Sequence, residues 1–185
     1  MPRVVSAGLL MYRLREPAVA GRATEHADAG SVTEQAVAGR DSEPAVEVLL
    51  AHPGGPFFAR RDLGVWSIPK GEVNPDEELL TAARREFAEE TGLEPWGPYV
   101  SLGAVKYKNH KVVHAWAFEG DWDPAVLVSN TFELEWPRRS GRMLTVPEID
   151  RAAWFTLAEA QERILPAQRR FLFDLEPVAQ AARRG

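Results

Sequence analysis

The sequence predicts a single α/β (α+β) domain in which helices pack against a β-sheet. Short apolar runs rich in branched and aromatic residues are interleaved with two or three segments of helical pattern. The length of 185 residues suits one domain. The composition, 45% hydrophobic and 26% charged, is near the globular average and excludes disordered and collagen-like chains.

Charge and cysteine content exclude several classes of function. The net charge of −5 disfavours a general attraction to nucleic acid or to an anionic membrane. The absence of cysteine excludes disulfides, a thiol nucleophile and Cys-ligated zinc. The longest strongly apolar run, residues 4–12, is too short to span a bilayer and lacks a signal cleavage site. We therefore expect a cytoplasmic protein without nucleic-acid or membrane partners. The sequence does not determine the oligomeric state, and a homodimer is one of the alternatives.

The expected elements follow from local patterns. Strands are predicted at residues 3–14, 46–51, 99–107, 111–120 and 149–155, with turns at 52–56 and 108–110. Helices are predicted at 75–91, at 156–165 with a capping box of Thr156 and Glu159, and at 166–175 with Pro166 in the first turn. Both faces of the strand at 111–120 are mostly apolar, so we expect it to be covered on both sides. Residues 121–142 are a connection without assigned structure.

The segment 15–45 differs from the rest of the chain. It contains no Leu, Ile, Met, Phe, Tyr or Trp and therefore has little apolar surface to bury. We predict a flexible loop inserted into a single domain that spans residues 1–185. A short Ala-rich helix is the alternative.

Residues 66–93 contain the strongest chemical signal. Asn74 and Pro75 supply a helix start, and Gly92 supplies a left-handed stop. At about 100° per residue, three carboxylates share one face at the edge of the apolar stripe; they belong to Glu86, Glu89 and Glu90.

This placement of acids is unfavourable for a purely structural helix. Like charges three or four residues apart repel by a few tenths of a kcal/mol per pair. The helix dipole adds roughly 0.3–1 kcal/mol for each acid in the last turn. A divalent cation reverses both effects, and clustered carboxylate oxygens suit Mg²⁺ or Mn²⁺ better than zinc. The alternative is a solvated acidic helix end.

The same segment resembles the box of the Nudix hydrolases, G-x5-E-x7-R-E-U-x-E-E-x-G-U, in which U is a bulky apolar residue. Every position is filled at the right spacing, by Gly71, Glu77, Arg85, Glu86, Phe87, Glu89, Glu90, Gly92 and Leu93. Phe87 is aromatic where an aliphatic residue is commoner. Seven fixed polar or glycine matches arise by chance at a rate on the order of 10⁻⁸ per start position.

The resemblance implies a Nudix-type α/β/α sandwich around a mixed sheet, with the box as a loop–helix–loop catalytic motif. It implies a hydrolase that uses Mg²⁺ or Mn²⁺ to cleave a pyrophosphate bond in a nucleoside diphosphate-linked or polyphosphate substrate. The Pro69-Lys70-Gly71 tripeptide resembles members that act on dinucleoside polyphosphates or diphosphoinositol polyphosphates. A (di)nucleoside polyphosphate is the first choice and a diphosphoinositol polyphosphate the alternative.

Two other functions are weighed against this one. A non-catalytic nucleotide-binding module of the same fold is disfavoured because all box carboxylates are kept. Hydrolysis of RNA caps is disfavoured by the acidic charge balance. The expected partner is a phosphorylated small molecule.

The resemblance also assigns roles to residues of the box. It implies Glu86, Glu89 and Glu90 as metal ligands, together with the backbone carbonyl of Lys70. Arg85 orients Glu86 or pairs with Glu77, and Glu77 is a supporting carboxylate that reaches the metal through water.

The general base is left open between Glu86 and Glu89, because some family members use a carboxylate far from the box. Glu133 and Glu135 are the downstream acids to inspect. The alternative for both is that they are polar positions alternating with apolar residues on an edge strand.

Cations outside the helix are candidates for binding phosphate. One cluster contains Lys106, Lys108, His110 and Lys111, and another contains Arg138, Arg139 and Arg142. The predicted substrate-binding residues are Lys70, Arg60, Lys106, Lys108, Lys111 and Arg142. Solvated surface is the alternative for either cluster.

Overall fold

The structure is a computed structural model that describes residues 4–16, 44–108 and 110–184. Most of the segment 15–45 lies outside these residues, so its predicted flexibility and the single-domain assignment stay predictions. Within the described residues no helix is long and apolar enough to cross a membrane.

Eight strands and three α-helices are described. The strands are β1 (Val5–Arg15), β2 (Ala45–Pro53), β3 (Lys70–Glu72), β4 (Val100–Lys106), β5 (Val112–Glu119), β6 (Thr131–Glu135), β7 (Met143–Pro147) and β8 (Ile149–Thr156). The helices are α1 (Leu79–Thr91), α2 (Leu157–Arg163) and α3 (Arg169–Ala182), with 3-10 turns at Pro124–Val126 and Pro166–Gln168.

Six strands form one mixed sheet in the order β4-β5-β1-β2-β8, with β3 paired to the first half of β1. β1 runs parallel to β5, and the other pairs in this sheet are antiparallel. β6 and β7 form a separate two-stranded sheet. The mixed sheet with helices on both faces confirms the predicted fold class.

Alternate residues of β1 enter two cores on opposite faces of the sheet. Leu9 and Met11 pack with Phe87 of α1, whereas Leu10 packs on the other face with Phe171 of α3. All of these side chains are fully buried, and each such burial stabilises the fold by about 1.5–3 kcal/mol. β5 contributes to both cores in the same way, which confirms that this strand is covered on both sides.

Helix α1 begins four residues later than the sequence predicts. The chain first makes a turn in which Glu77 N–H donates to Asn74 O, and Asp76 adopts a positive φ of 63°. The cap is Glu78, whose side chain accepts from Thr81 N–H. The predicted stop is confirmed, because Gly92 has φ 77° and donates to Ala88 O.

Other boundaries also differ from the prediction. His52, predicted in a turn, belongs to β2 because it pairs with Arg151 of β8. The capping box of α2 is confirmed. Pro166 opens a 3-10 turn, and α3 continues past the expected end to Ala182 with Pro177 inside it. The unassigned stretch 121–142 contains β6 and a 3-10 turn.

Candidate active site

The site begins where β3 lies against α1. β3 is held by pairing with β1 through Ser6–Glu72 and Gly8–Lys70. Gly71, between the two, faces Glu86 so closely that a Cβ at this position would overlap the Glu86 carboxylate. The box glycine is therefore required for the approach of Glu86 to the strand.

Glu90 is the most deeply buried acid of the site, with 7% of its surface exposed. Its Oε2 accepts a hydrogen bond of 2.8 Å from the backbone N–H of Lys70. Burial raises the pKa of Glu90 to about 7; Lys70 opposes the rise, whereas the charges of Glu86 and Glu148 add to it.

Glu86 lies beside it, and its side chain is 13% exposed. Arg85 Nη1 donates to Glu86 at 2.7 Å. Burial raises the pKa of Glu86, against the opposing effect of Arg85 and with contributions from Glu89 and Glu148. Glu89 is more exposed and accepts from Arg85 Nη1 at 3.3 Å. The three box acids thus share one edge of α1, as predicted, but in different environments.

Arg85 connects the box acids to the loop before the helix. Its Nε and Nη2 donate to the two oxygens of Glu77 at 2.9 and 3.0 Å, and Nη2 also donates to Glu72 O. Arg85, together with the backbone N–H of Asn74, lowers the pKa of Glu77 to about 2. Arg85 therefore contacts Glu86 and Glu77 at the same time, and both oxygens of Glu77 accept hydrogen bonds from it.

A fourth acid, Glu148, joins the site and was missed by the sequence analysis. Asn130 N–H donates to Glu89 O, and Glu148 N–H donates to Asn130 O at 2.8 Å. Two backbone bonds therefore connect Glu148 to the end of α1, and its exposed carboxylate raises the pKa of both Glu86 and Glu90. The sequence around it, a lone acid between Pro147 and Ile149, contains no signal that distinguishes it from other surface acids.

The two downstream acids that the sequence singled out lie in the β6–β7 sheet. Glu133 accepts from Thr145 Oγ1, and Glu135 accepts from Gly141 N–H at 2.8 Å. Their bonds are internal to the hairpin, which fits the alternative of polar edge-strand positions.

The structure brings two of the predicted cations to the carboxylates. Lys111 is partly buried, and burial lowers its pKa; Lys70 lowers it further, whereas Glu72, Glu86 and Glu90 raise it. The charge of Lys70 in turn opposes the rise in the pKa of Glu90. The other four predicted substrate-binding residues are exposed on separate loops and strand ends and form no ion pair within the described ranges; they are Arg60, Lys106, Lys108 and Arg142.

The chemistry of these side chains fits a hard divalent cation. All four acids offer carboxylate oxygens, the donors that Mg²⁺ and Mn²⁺ prefer. Mutual repulsion and burial disfavour the charges of Glu86 and Glu90, and a cation relieves both. No group of three or more His, Asp or Glu side chains in the described part of the chain is already gathered around one point.

Comparison with known proteins decides the family. The protein-family model described as "NUDIX domain" matches residues 36–175 of this chain. The chain belongs to the Nudix family. A phage T4 relative, an uncharacterized 17.7 kDa protein of the e-segB intergenic region, is 31% identical over 113 residues, which are 60% of this chain and 74% of the relative.

Solved Nudix structures share the fold of this chain. An Ap4A hydrolase of C. elegans, in a binary complex, has a TM-score of 0.57 and 19% identity, with 95% of this chain and 98% of that chain covered. A mutT/nudix family protein of Listeria innocua has a TM-score of 0.57 and 15% identity, with 98% and 97% covered. The Nudix domain of Shewanella oneidensis NrtR, complexed with ADP ribose, has a TM-score of 0.52 and 14% identity, with 100% and 89% covered.

Replacing Gly71 with alanine tests the contact between β3 and Glu86. We expect Gly71→Ala to lower the free energy of unfolding by about 1–3 kcal/mol, as overpacking does. In a Glu86→Ala background the same change should cost clearly less, because the overlapping carboxylate is gone. Urea unfolding of the four proteins measures this coupling. Equal costs in both backgrounds would contradict the contact.

The pH dependence of stability tests the burial of Glu90. Its pKa is raised from 4.5 to about 7 in the folded state, so the folded protein binds the proton more tightly than the unfolded chain does. The stabilisation is complete below pH 4.5 and is lost as pH rises through 7, by an amount on the order of 3 kcal/mol. Thermal unfolding in EDTA should therefore show a falling Tm between about pH 5 and 8. Glu90→Gln should flatten that decline, and an unchanged slope would count against the assignment.

Proposed function

We propose that this Nudix protein is a hydrolase that uses Mg²⁺ or Mn²⁺ to cleave a pyrophosphate bond in a nucleoside diphosphate-linked or polyphosphate compound. The observation that carries the proposal is the pair of carboxylates formed by half-buried Glu86 and buried Glu90, held against β3 with Lys70 and Lys111 beside them. Such a pair of acids with adjacent cations suits an anionic phosphate bound through a metal.

Glu86, Glu89 and Glu90, with the backbone carbonyl of Lys70, are the residues that would hold the ion. The bound ion supplies neutralisation of phosphate charge and an acidified water. Stabilising the charge that spreads over the phosphoryl oxygens is the main task in this reaction class.

The chain's own residues provide the remaining steps. Lys70 and Lys111 bind phosphate oxygens as point charges. Arg85 favours the charged form of Glu86 and orients it, because its guanidinium donates to that carboxylate. A general base must take a proton from the attacking water. Glu148 joins Glu86 and Glu89 as a candidate, because it is exposed to water and its charge acts on both Glu86 and Glu90.

The substrate we propose first is a (di)nucleoside polyphosphate in the cytoplasm. The fold-level neighbour from C. elegans is an Ap4A hydrolase, and the two lysines beside the carboxylates, Lys70 and Lys111, suit an anionic phosphate chain. A diphosphoinositol polyphosphate is the second candidate, because the Pro69-Lys70-Gly71 tripeptide resembles that of family members acting on such substrates. We propose neither nucleic acid nor a membrane as a partner.

A substrate panel with metal removal tests the proposal. The purified protein is incubated with nucleotide, dinucleotide and inositol pyrophosphates with Mg²⁺, with Mn²⁺ or with EDTA. We expect turnover that needs the cation and is abolished or strongly reduced in Glu86→Gln. Turnover that persists in EDTA, or is equal in Glu86→Gln, would overturn the mechanism.

A matched pair of acid variants extends the same assay to the general base. Glu148→Gln should lower kcat by roughly 10²-fold or more, within the range for loss of general base catalysis. Glu133→Gln removes an acid from the hairpin that bonds only Thr145 among the described residues and should leave kcat near wild type. Equal effects of the two changes would remove Glu148 from the mechanism.

A matched pair of lysine variants tests phosphate binding. Lys111→Gln should raise KM by about tenfold or more, because a hydrogen bond to a charged group contributes about 1.5–3 kcal/mol. Lys106→Gln alters an exposed lysine at the end of the neighbouring strand β4 and should change KM much less. Steady-state kinetics at two ionic strengths separates the two, since a direct contact is less screened than a distant charge. If both substitutions raise KM equally, a local role for Lys111 is wrong.

A further inference from the structure

His52 is a fully buried histidine that the proposed mechanism does not use. Its Nδ1 lies 2.7 Å from Asp150 Oδ1, and its Nε2 lies 2.8 Å from the carbonyl oxygen of Arg61. The ring packs edge-on against Trp66 at 5.0 Å. A polar ring buried in this way is fixed in place by both of its nitrogens.

Asp150 is the residue at which the pairing of β8 becomes irregular. His52 pairs with Arg151, and the next residue, Pro53, pairs with Ile149, so Asp150 has no partner in the register. This is a β-bulge of one residue. The bond from His52 reaches the carboxylate of the bulged residue itself.

Glu148 lies two residues before Asp150, in the bend that precedes β8. A bulge bends its strand and increases the local twist, so it changes the direction in which the chain leaves this bend. The side chain of Glu148 forms no hydrogen bond within the described residues, and its position depends on its backbone. That backbone donates to Asn130 O and accepts from Gly54 N–H, and Gly54 follows His52 by two residues.

We propose that His52 is a positioning residue for Glu148: its bond to Asp150 holds the bulge that directs the Glu148 carboxylate toward Glu86 and Glu90. The inference rests on the proposed role of Glu148 in hydrolysis. His52 touches neither substrate nor the reacting atoms, and it acts through the conformation of residues 148–150.

Two amide variants test the two hydrogen bonds of the His52 ring separately. In His52→Asn the amide nitrogen takes the place of Nδ1 and keeps a donor toward Asp150. In His52→Gln it takes the place of Nε2 and keeps only the donor toward Arg61. We expect His52→Gln to lower kcat by about 10–100-fold, the range for loss of a supporting partner, with KM nearly unchanged. The loss in His52→Asn should be several-fold smaller.

Combination with Glu148→Gln shows whether the effect runs through that carboxylate. If it does, adding His52→Gln to Glu148→Gln produces no further loss of kcat, because coupled residues are not additive. Additive losses, or equal losses in the Asn and Gln variants, overturn the proposal. If His52→Gln does not fold, Asp150→Ala tests the same hydrogen bond by removing the carboxylate that His52 contacts.

Crystal structures of the wild type and both amide variants test the inference without turnover. The bulge and the Glu148 position should persist in His52→Asn and change in His52→Gln. An unchanged bulge in His52→Gln refutes the positioning role even if the protein is a hydrolase. A changed bulge in a protein that hydrolyses none of the panel supports the structural step and rejects the function.

Discussion

The contact between the Glu86 and Glu90 carboxylates and the backbone of β3 is the constraint on which the rest of the site depends. Placing a half-buried carboxylate, Glu86, beside a buried one, Glu90, is unfavourable, and loss of water is the main cause of the raised pKa of each. The cost is limited by donors at fixed positions, the Lys70 N–H for one acid and the Arg85 guanidinium for the other. The contact exists because Gly71 has no side chain and because pairing with β1 holds the three residues of β3 in place.

The late start of α1 is part of the same arrangement. The turn through Asp76 leaves Glu77 outside the helix, where both of its oxygens meet Arg85 and Oε2 also accepts from the Asn74 N–H. Arg85 is thereby fixed at one end by a bidentate pair, a geometry that orients a guanidinium strongly. Its remaining donors then face Glu86 and Glu89.

The features that could be predicted from the sequence are those that neighbouring residues determine. The box spacing, the Gly92 stop, the Thr156 capping box and the two apolar faces of β5 all depend on residues a few positions apart. Glu148 could not be predicted, because it reaches the site only through the pairing of β8 with β2 and the bonds of Asn130. The extension of β2 to His52 depends on the same distant partner. The positive φ of Asp76 has no pattern of its own, so the first turn of α1 was misplaced.

Glu90 and Glu148 differ in burial, and this difference suits them to different roles. Glu90 has lost nearly all of its water, so without a cation its charged form is disfavoured near neutral pH. Glu148 keeps its solvation on the exposed side, where a water molecule can approach it. Groups whose environments differ in this way suit different roles, one as a ligand that needs a cation and one as a proton acceptor. The second role requires that Glu148 stay near the pair without being buried by it. Attachment through the backbone of residues 54, 130 and 148 achieves this, because it fixes the position of Glu148 while leaving its carboxylate free of protein donors among the described residues.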